Sequence, residues 1–274
     1  MQTQNDTPNP LGKTVSHSPH YNPGHLFPVP RAEGRLEIGM GCSPPFQGDD
    51  IWNAYEMSWL NDRGKPEIAI GGFVFPCSSE NLIESKSLKL YLNSLNLERF
   101  DSADRARKTV EKDLSAAAAG EVAVTLLSPG QFGELALGTP PGKCLDNLDI
   151  EVHSYRLNPK ALATTGEEAE ETLFSNLLRT HCPVTGQPDW GSVVIGYKGP
   201  RITPEGLLKY IVSYREHTGF HENCVERMFH DIATHCAPEK LFVQAQFTRR
   251  GGLDINPWRA NYPAEPLFAR YPRQ

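Results

Sequence analysis

The sequence predicts an α+β protein in which an antiparallel sheet carries helices on one face. Three observations predict it across the 274 residues. Short apolar segments of strand character alternate with segments of helical period. The order strand, helix, helix, strand occurs twice. A constant offset of 120 residues superposes the two occurrences without a gap over the helices and the final strand, setting Lys89 on Lys209, Phe100 on Phe220, Arg107 on Arg227 and Val122 on Phe242.

Residues 1–32 read as an extended arm, because prolines at 8, 10, 19, 23, 28 and 30 oppose both helix and central strand. Leu26 to Pro30 is apolar enough to pack onto the body. A first module follows over residues 33–145. Its strand is Glu67 to Phe75, its helices Ser87 to Leu92 and Ser102 to Ala118, and its last strand Glu121 to Leu127. The second module, residues 146–274, has a strand from Ser192 to Tyr197 and a helix from about Pro204 through Tyr214, proline suiting a first helical turn. Another helix runs from about Glu222 to Ala233, and Leu241 to Phe247 closes the unit. Flanking segments supply the hairpin partners. Leu148 to His153 alternates apolar and polar residues and is one candidate.

Composition narrows the function classes. The apolar share of 39%, together with 23 glycines, is that of a globular protein. A net charge of −6 argues against a nucleic-acid-binding surface, while leaving room for a local basic pocket. No apolar run approaches the ~18 residues of a membrane span, and Met1 to Pro30 contains no apolar core of a secretory signal. Six cysteines (Cys42, Cys77, Cys144, Cys182, Cys224 and Cys236) include no C-x-x-C pair. They read as reduced thiols of a soluble, cytoplasmic protein.

Chemistry concentrates in four short segments. Cys182 and Asp189 stand seven residues apart in a stretch with two prolines and a glycine, which must loop and can bring thiol and carboxyl together. A buried cysteine in a turn, with Asp189 as a cap, is the alternative. Glu84, Ser85 and Lys86 lie at a strand-to-helix junction that suits an anion, or else Ser85 simply caps the helix. Phe220-His221-Glu222 offers a ring to stack and a carboxylate for adjacent N–H donors, such as the guanine edge. A plain helix start would look alike. Arg249-Arg250-Gly251-Gly252 suits a phosphate, or a solvated turn. The two halves carry different polar groups at equivalent positions, which points to a composite pocket. Neither dinucleotide-binding nor P-loop glycine patterns occur. His181, Cys182, His221, Cys224, His230, His235 and Cys236 are metal-ligating residue types, but helical periodicity already explains their spacing, so no metal is expected.

Together, Glu84-Ser85-Lys86-Ser87, the C-P-x-T-x-Q-P-D pattern of Cys182 to Asp189, Phe220-His221-Glu222 and Arg249-Arg250-Gly251-Gly252 resemble the NADPH-dependent 7-cyano-7-deazaguanine reductases of long, two-module type. The likeness spans nearly the whole chain, including Leu11-Gly12-Lys13, Leu26 to Arg31 and Trp52-x-x-Tyr55-Glu56-x-Ser58-Trp59-Leu60. It implies tandem tunnelling-fold (T-fold) modules that assemble into a barrel in a homodimer. It also implies reduction of the nitrile of 7-cyano-7-deazaguanine to 7-aminomethyl-7-deazaguanine, within queuosine biosynthesis for tRNA, at the expense of two NADPH. By the same resemblance Cys182 forms a covalent thioimide, Asp189 donates a proton and His221 assists later. Glu84 and Glu222 hold the base, with Ile83, Ser85, His221 and Phe220 beside it. Ser85, Lys86, Arg250 and Gly251 take NADPH. Asp189 must be protonated near neutral pH for its role, which calls for burial or a nearby negative charge. The rivals are a zinc-dependent cyclohydrolase-like enzyme on the same fold and a non-catalytic purine-binding protein.

Overall fold

A computed structural model describes residues 20–41 and 44–274. The expected arm segment Leu11-Gly12-Lys13 and Cys42 lie outside the described residues. Strand β1 (Pro28–Pro30) and helix α1 (Arg31–Glu37) lead into a long hairpin of β2 (Asp49–Leu60) and β3 (Pro66–Pro76). The short β4 (Asn81–Ile83) pairs with β1, and is followed by α2 (Ser85–Ser94), α3 (Ala103–Ala118) and β5 (Ala123–Leu127), which returns against β3. A two-residue β6 (Lys143–Cys144) precedes a second hairpin, β7 (Thr164–His181) and β8 (Pro188–Ile202). Then come α4 (Pro204–Val212), α5 (His221–Cys236), β9 (Lys240–Phe247) and β10 (Leu253–Ala260).

The fold is α+β, as expected. One eight-stranded sheet runs β5-β3-β2-β10-β9-β8-β7-β6 and is antiparallel except for β6 against β7. It is open, with β5 and β6 at its edges, so the chain by itself does not close a barrel. Strand β10 is the seam: residues 253–257 pair with β2 and residues 258–260 with β9.

Helices form where apolar residues recur at three- and four-residue spacing. Leu88, Tyr91 and Leu92 of α2 and Val110 and Leu114 of α3 bury against Trp52, Phe73 and Phe75. Val225, Met228, Phe229 and Ile232 of α5, with Leu207 and Ile211 of α4, bury against Val193, Ile195, Val243 and Ala245. Leu253 and Ile255 of β10 join the first core. On the side opposite the helices, Gln244 and Gln246 hydrogen-bond to the backbone of Leu267 and Ala269, so the C-terminal segment covers the middle of the sheet there.

Three readings need correction. Leu148 to His153 is not a strand; the hairpin partner in the second half is β7. Leu241 to Phe247 does not close the unit, since β10 follows. The gapless offset of 120 also slips. The N-caps Glu84 and Thr203 are 119 positions apart, while Ser102 and Phe220, and the left-handed C-caps Ala119 and Ala237, are 118 apart. Phe220 therefore matches Ser102 rather than Phe100.

With that register the halves share hydrogen bonds. Tyr91 donates to Asp113 Oδ2 at 2.7 Å, as Tyr210 does to Asp231 Oδ2. Asn22 N–H donates to Ser94 Oγ at 3.1 Å, as Asn158 does to Ser213. Glu84 N–H reaches Phe27 O at 3.0 Å and Thr203 N–H reaches Ala163 O at 2.9 Å. The part of the arm from Tyr21 to Phe27 thus occupies, beside α2, the place that residues 157–163 occupy beside α4.

Candidate active site

Cys182 follows the last residue of β7. His181 N–H donates to His217 O at 2.8 Å and Gly219 N–H donates to His181 O at 3.1 Å, which pins the strand end against the approach to α5. His221 begins that helix, so thiol and imidazole share one corner. The turn closes through Cys182 N–H to Gln187 O and Gly186 N–H to Cys182 O, both 2.9 Å. Gly186, with φ of +66°, takes the left-handed position that glycine favours. Asp189 lies opposite Thr180 in the β7–β8 ladder and is 3% exposed.

Residues 250–253 form the second wall. Arg250 N–H donates to Leu253 O at 2.9 Å across Gly251 and Gly252, whose φ values of +59° and +80° make a tight turn into β10. The Arg250 side chain crosses to the nucleophile turn. Nη1 lies 2.5 Å from Asp189 Oδ1, and Nη2 donates to Gln187 Oε1 at 2.7 Å and to Thr185 Oγ1 at 3.2 Å. The third wall is the start of α2. The cap there is Glu84 rather than Ser85: its carboxylate accepts Lys86 N–H at 3.0 Å and Ser87 N–H at 2.7 Å. Those two amides are therefore satisfied by the chain itself.

A cavity of about 240 Å³ lies between these walls. Glu84, Ser85, Lys86, Cys182, His221, Arg250 and Gly251 all line it, so residues from both halves meet in one chain. Asp189 joins through Arg250 and stands 3.6 Å from His221 Nε2, beyond hydrogen-bond length. Ile83, Phe220 and Glu222 are not part of this lining. Ile83 is buried in β4, and Phe220 lines a neighbouring cavity with Pro183 and Asn223. Glu222 is 2% exposed, and its Oε1 accepts no hydrogen bond from any described residue.

The environment sets the protonation of each group. Burial pushes the Cys182 thiol up, but the Thr185 hydroxyl, the amides of Thr185 and Val184 and the Arg250 guanidinium outweigh it, and the thiol falls below its ordinary range. Burial drives His221 down to about 4, against the pull of Asp189, so the imidazole is neutral at pH 7. Burial, with Asp50 nearby, raises Glu222 to about 8. Asp189 is buried. Its charged neighbour, however, is the Arg250 guanidinium and not a second negative group.

Several lining residues escaped the sequence. Lys89 sits one turn beyond Lys86 on the same helix face, donating to Glu56 Oε2 at 2.6 Å and to Gly251 O. Thr185 and Gln187 lie between the two reactive residues and are tied to Arg250. Phe247 places its ring 3.9 Å from that of His221, and Leu253 and Ile255 floor the cavity from β10. Among the described residues no three His, Cys, Asp or Glu side chains are grouped to hold a metal ion, and no helix is long and apolar enough to cross a membrane. Cys77, Cys144, Cys182, Cys224 and Cys236 are free thiols.

Comparison with known proteins gives concordant matches. A family profile described as nitrile reductase, 7-cyano-7-deazaguanine-reductase N-term, matches residues 17–126, and one described as QueF-like protein matches residues 188–265. The NADPH-dependent 7-cyano-7-deazaguanine reductase of Desulfotalea psychrophila is 55% identical over 267 residues, 97% of each chain. The protein of that name from Burkholderia vietnamiensis is 53% identical over 97% of this chain and 98% of its own. That of Bordetella pertussis is 51% identical over 94% of both.

Proposed function

The chain belongs to the 7-cyano-7-deazaguanine reductase family, and from that premise we propose that it works through a covalent bond between Cys182 and its substrate. It is an NADPH-dependent oxidoreductase that converts the nitrile of 7-cyano-7-deazaguanine to a primary amine. The observation that carries the covalent reading is a thiol on the wall of a cavity small enough for one deazapurine, in a turn that Arg250 ties to the buried Asp189 carboxyl.

The Cys182 thiolate adds to the nitrile carbon. As the C–S bond forms, one carbon–nitrogen π pair moves to nitrogen and takes up a proton, giving a thioimide. Asp189, joined to the nucleophile turn through Arg250, takes the thiol proton as Cys182 attacks and passes it to the nitrile nitrogen. Bound NADPH supplies a hydride twice, so one nitrile, two NADPH and the accompanying protons yield one amine and two NADP⁺. Cys182 leaves as thiolate between the two reductions. His221, neutral and at the cavity wall, is placed to pass a proton to the nitrogen of the later intermediate.

Glu84, fixed by the amides of α2, is the acceptor on the cavity wall for the N–H donors of the base, and Glu222, buried outside that lining with an unpartnered oxygen, is the second acceptor we assign to it. Ser85 lies beside Glu84 on the cavity wall, while Ile83 and Phe220 stand outside this lining. The residues present suit NADPH at the rim, where Lys86, Lys89 and Arg250 give a cationic mouth next to Ser85 and the side-chain-free Gly251. Two open sheet edges and Ile68, 52% exposed, support a homodimer in which a second copy completes the T-fold barrel. We assign the protein to the cytoplasm.

The direct test is absorbance at the reduced nicotinamide band with purified protein and the cyano-deazaguanine. Two NADPH consumed per nitrile is expected; no consumption, or a one-to-one ratio, refutes four-electron reduction. Asp189→Asn is expected to slow adduct formation on the order of 10²-fold with little loss of substrate affinity. An equal loss confined to affinity reassigns Asp189 to positioning.

Glu222 makes substrate binding pH-dependent. N–H donors need its carboxylate form, so affinity for a nitrile-free deazapurine should rise as pH increases through about 8. The opposite linkage holds for folding. A carboxyl raised in the native state contributes stability fully below its unfolded value and loses it as pH rises through about 8. Titration calorimetry between pH 6.5 and 9 checks the binding trend. A flat profile, or one unchanged in Glu222→Gln, removes Glu222 from the base-binding role.

A further inference from the structure

Arg250 is already engaged by the protein. Nη1 is taken by Asp189, and Nη2 by Gln187 and Thr185. A guanidinium so placed has spent its forked face on three acceptors, two within the nucleophile turn and one on β8. Its neighbour Arg249 points elsewhere, 4.2 Å from the centre of the Tyr55 ring. The origin of the Arg250 side chain is fixed as well, because its backbone closes the Gly251–Gly252 turn at both N–H and C=O. Among the described residues, the other hydrogen bonds of the turn from Cys182 to Gln187 stay within the segment from His181 to Gln187. Arg250 is thus the side-chain link from the body to this turn.

We infer that Arg250 is a positioning residue that clamps the nucleophile turn to Asp189 and holds Cys182 in reactive geometry, a role additional to its charge at the NADPH rim. The inference rests on Cys182 being the nucleophile. Two consequences separate it from phosphate binding. The clamp acts before NADPH arrives, so it governs the rate of covalent attachment in the absence of NADPH. It also depends on a fork: lysine keeps the charge that a phosphate needs but offers a single point that cannot span Asp189 and the Thr185–Gln187 pair.

The test compares wild type with Arg250→Lys in three measurements. The first is the pH profile of Cys182 alkylation by iodoacetamide, which needs neither substrate nor NADPH. The second is the rate of adduct formation with the cyano-deazaguanine alone, and the third is NADPH affinity. The clamp predicts an alkylation profile shifted to higher pH and adduct formation slowed roughly tenfold to a hundredfold, with NADPH affinity retained. A wild-type alkylation profile and adduct rate, with the loss confined to NADPH affinity, overturns it. If Arg250→Lys lowers the melting temperature markedly, Gln187→Met, which removes one acceptor of the fork, is scored by the same alkylation profile. Wild type that forms no adduct refutes the covalent mechanism, while the alkylation profiles still decide the clamp.

Discussion

Cys182→Ala is expected to abolish turnover, by on the order of 10⁴-fold or more, and to abolish the covalent adduct as well. The size follows from the division of labour at the site. Glu84, Lys86 and the floor residues Leu253 and Ile255 line the cavity, but among the described residues the only sulfur on its wall is Cys182. Without it, hydride must reach a linear nitrile carbon with no prior conversion to a trigonal one. Stability should be nearly unchanged, because Cys182 is half-buried in a turn whose closure uses backbone groups. Intact-mass measurement with steady-state kinetics checks this. A variant that folds, binds and still forms the adduct excludes Cys182 as nucleophile.

The second large effect concerns the seam. Arg259 on β10 is fully buried, with Nη2 2.8 Å from Asp50 Oδ1 on β2 and 2.9 Å from Glu226 Oε1 on α5. Arg31 holds Asp50 at 2.6 Å, and Arg35 holds Glu226 at 2.8 Å. Arg259→Met leaves two buried carboxylates with one partner each, and should destabilise by about 3–5 kcal/mol, seen as a lower urea midpoint. Burial would raise both carboxyls, but the arginines outweigh it and hold them below the ordinary range. Depressed carboxyls contribute stability above their unfolded pKa and lose it as pH falls through the folded one. Wild type should therefore lose stability in acid, and Arg259→Met should lose less there. A shift under 1 kcal/mol would show that Arg31 and Arg35 suffice.

How far the sequence could be read depended on where side chains find partners. Strands β3, β5, β8 and β9 and the helices α2 to α5 were legible because their apolar spacing is local. Strand β7 was not: from Thr164 to Glu168 it is exposed on every residue, with two glutamates and a glycine, and carries no alternation. Strand β10 was hidden for the opposite reason. Asp254, Asn256 and Arg259 are buried polar residues whose partners lie far away in the chain: Asn53 and Tyr55 for Asp254, the Ile51 carbonyl for Asn256, and Asp50 and Glu226 for Arg259. Leu148 to His153 does alternate, yet Leu148 and Ile150 pack against the second core as irregular chain. At the site, Cys182, Asp189, Glu84 and His221 stood out because their segments are short and chemically distinctive. The Gln187–Arg250 bond spans 63 positions, and no local pattern announces it.

The decisive measurement is peptide mass mapping of wild-type protein mixed with the cyano-deazaguanine in the absence of NADPH. Addition of a thiol across a nitrile expels nothing, so the peptide containing Cys182 should gain the whole mass of one substrate molecule. No gain in mass, or a gain on any other residue, would contradict a covalent route through this sulfur.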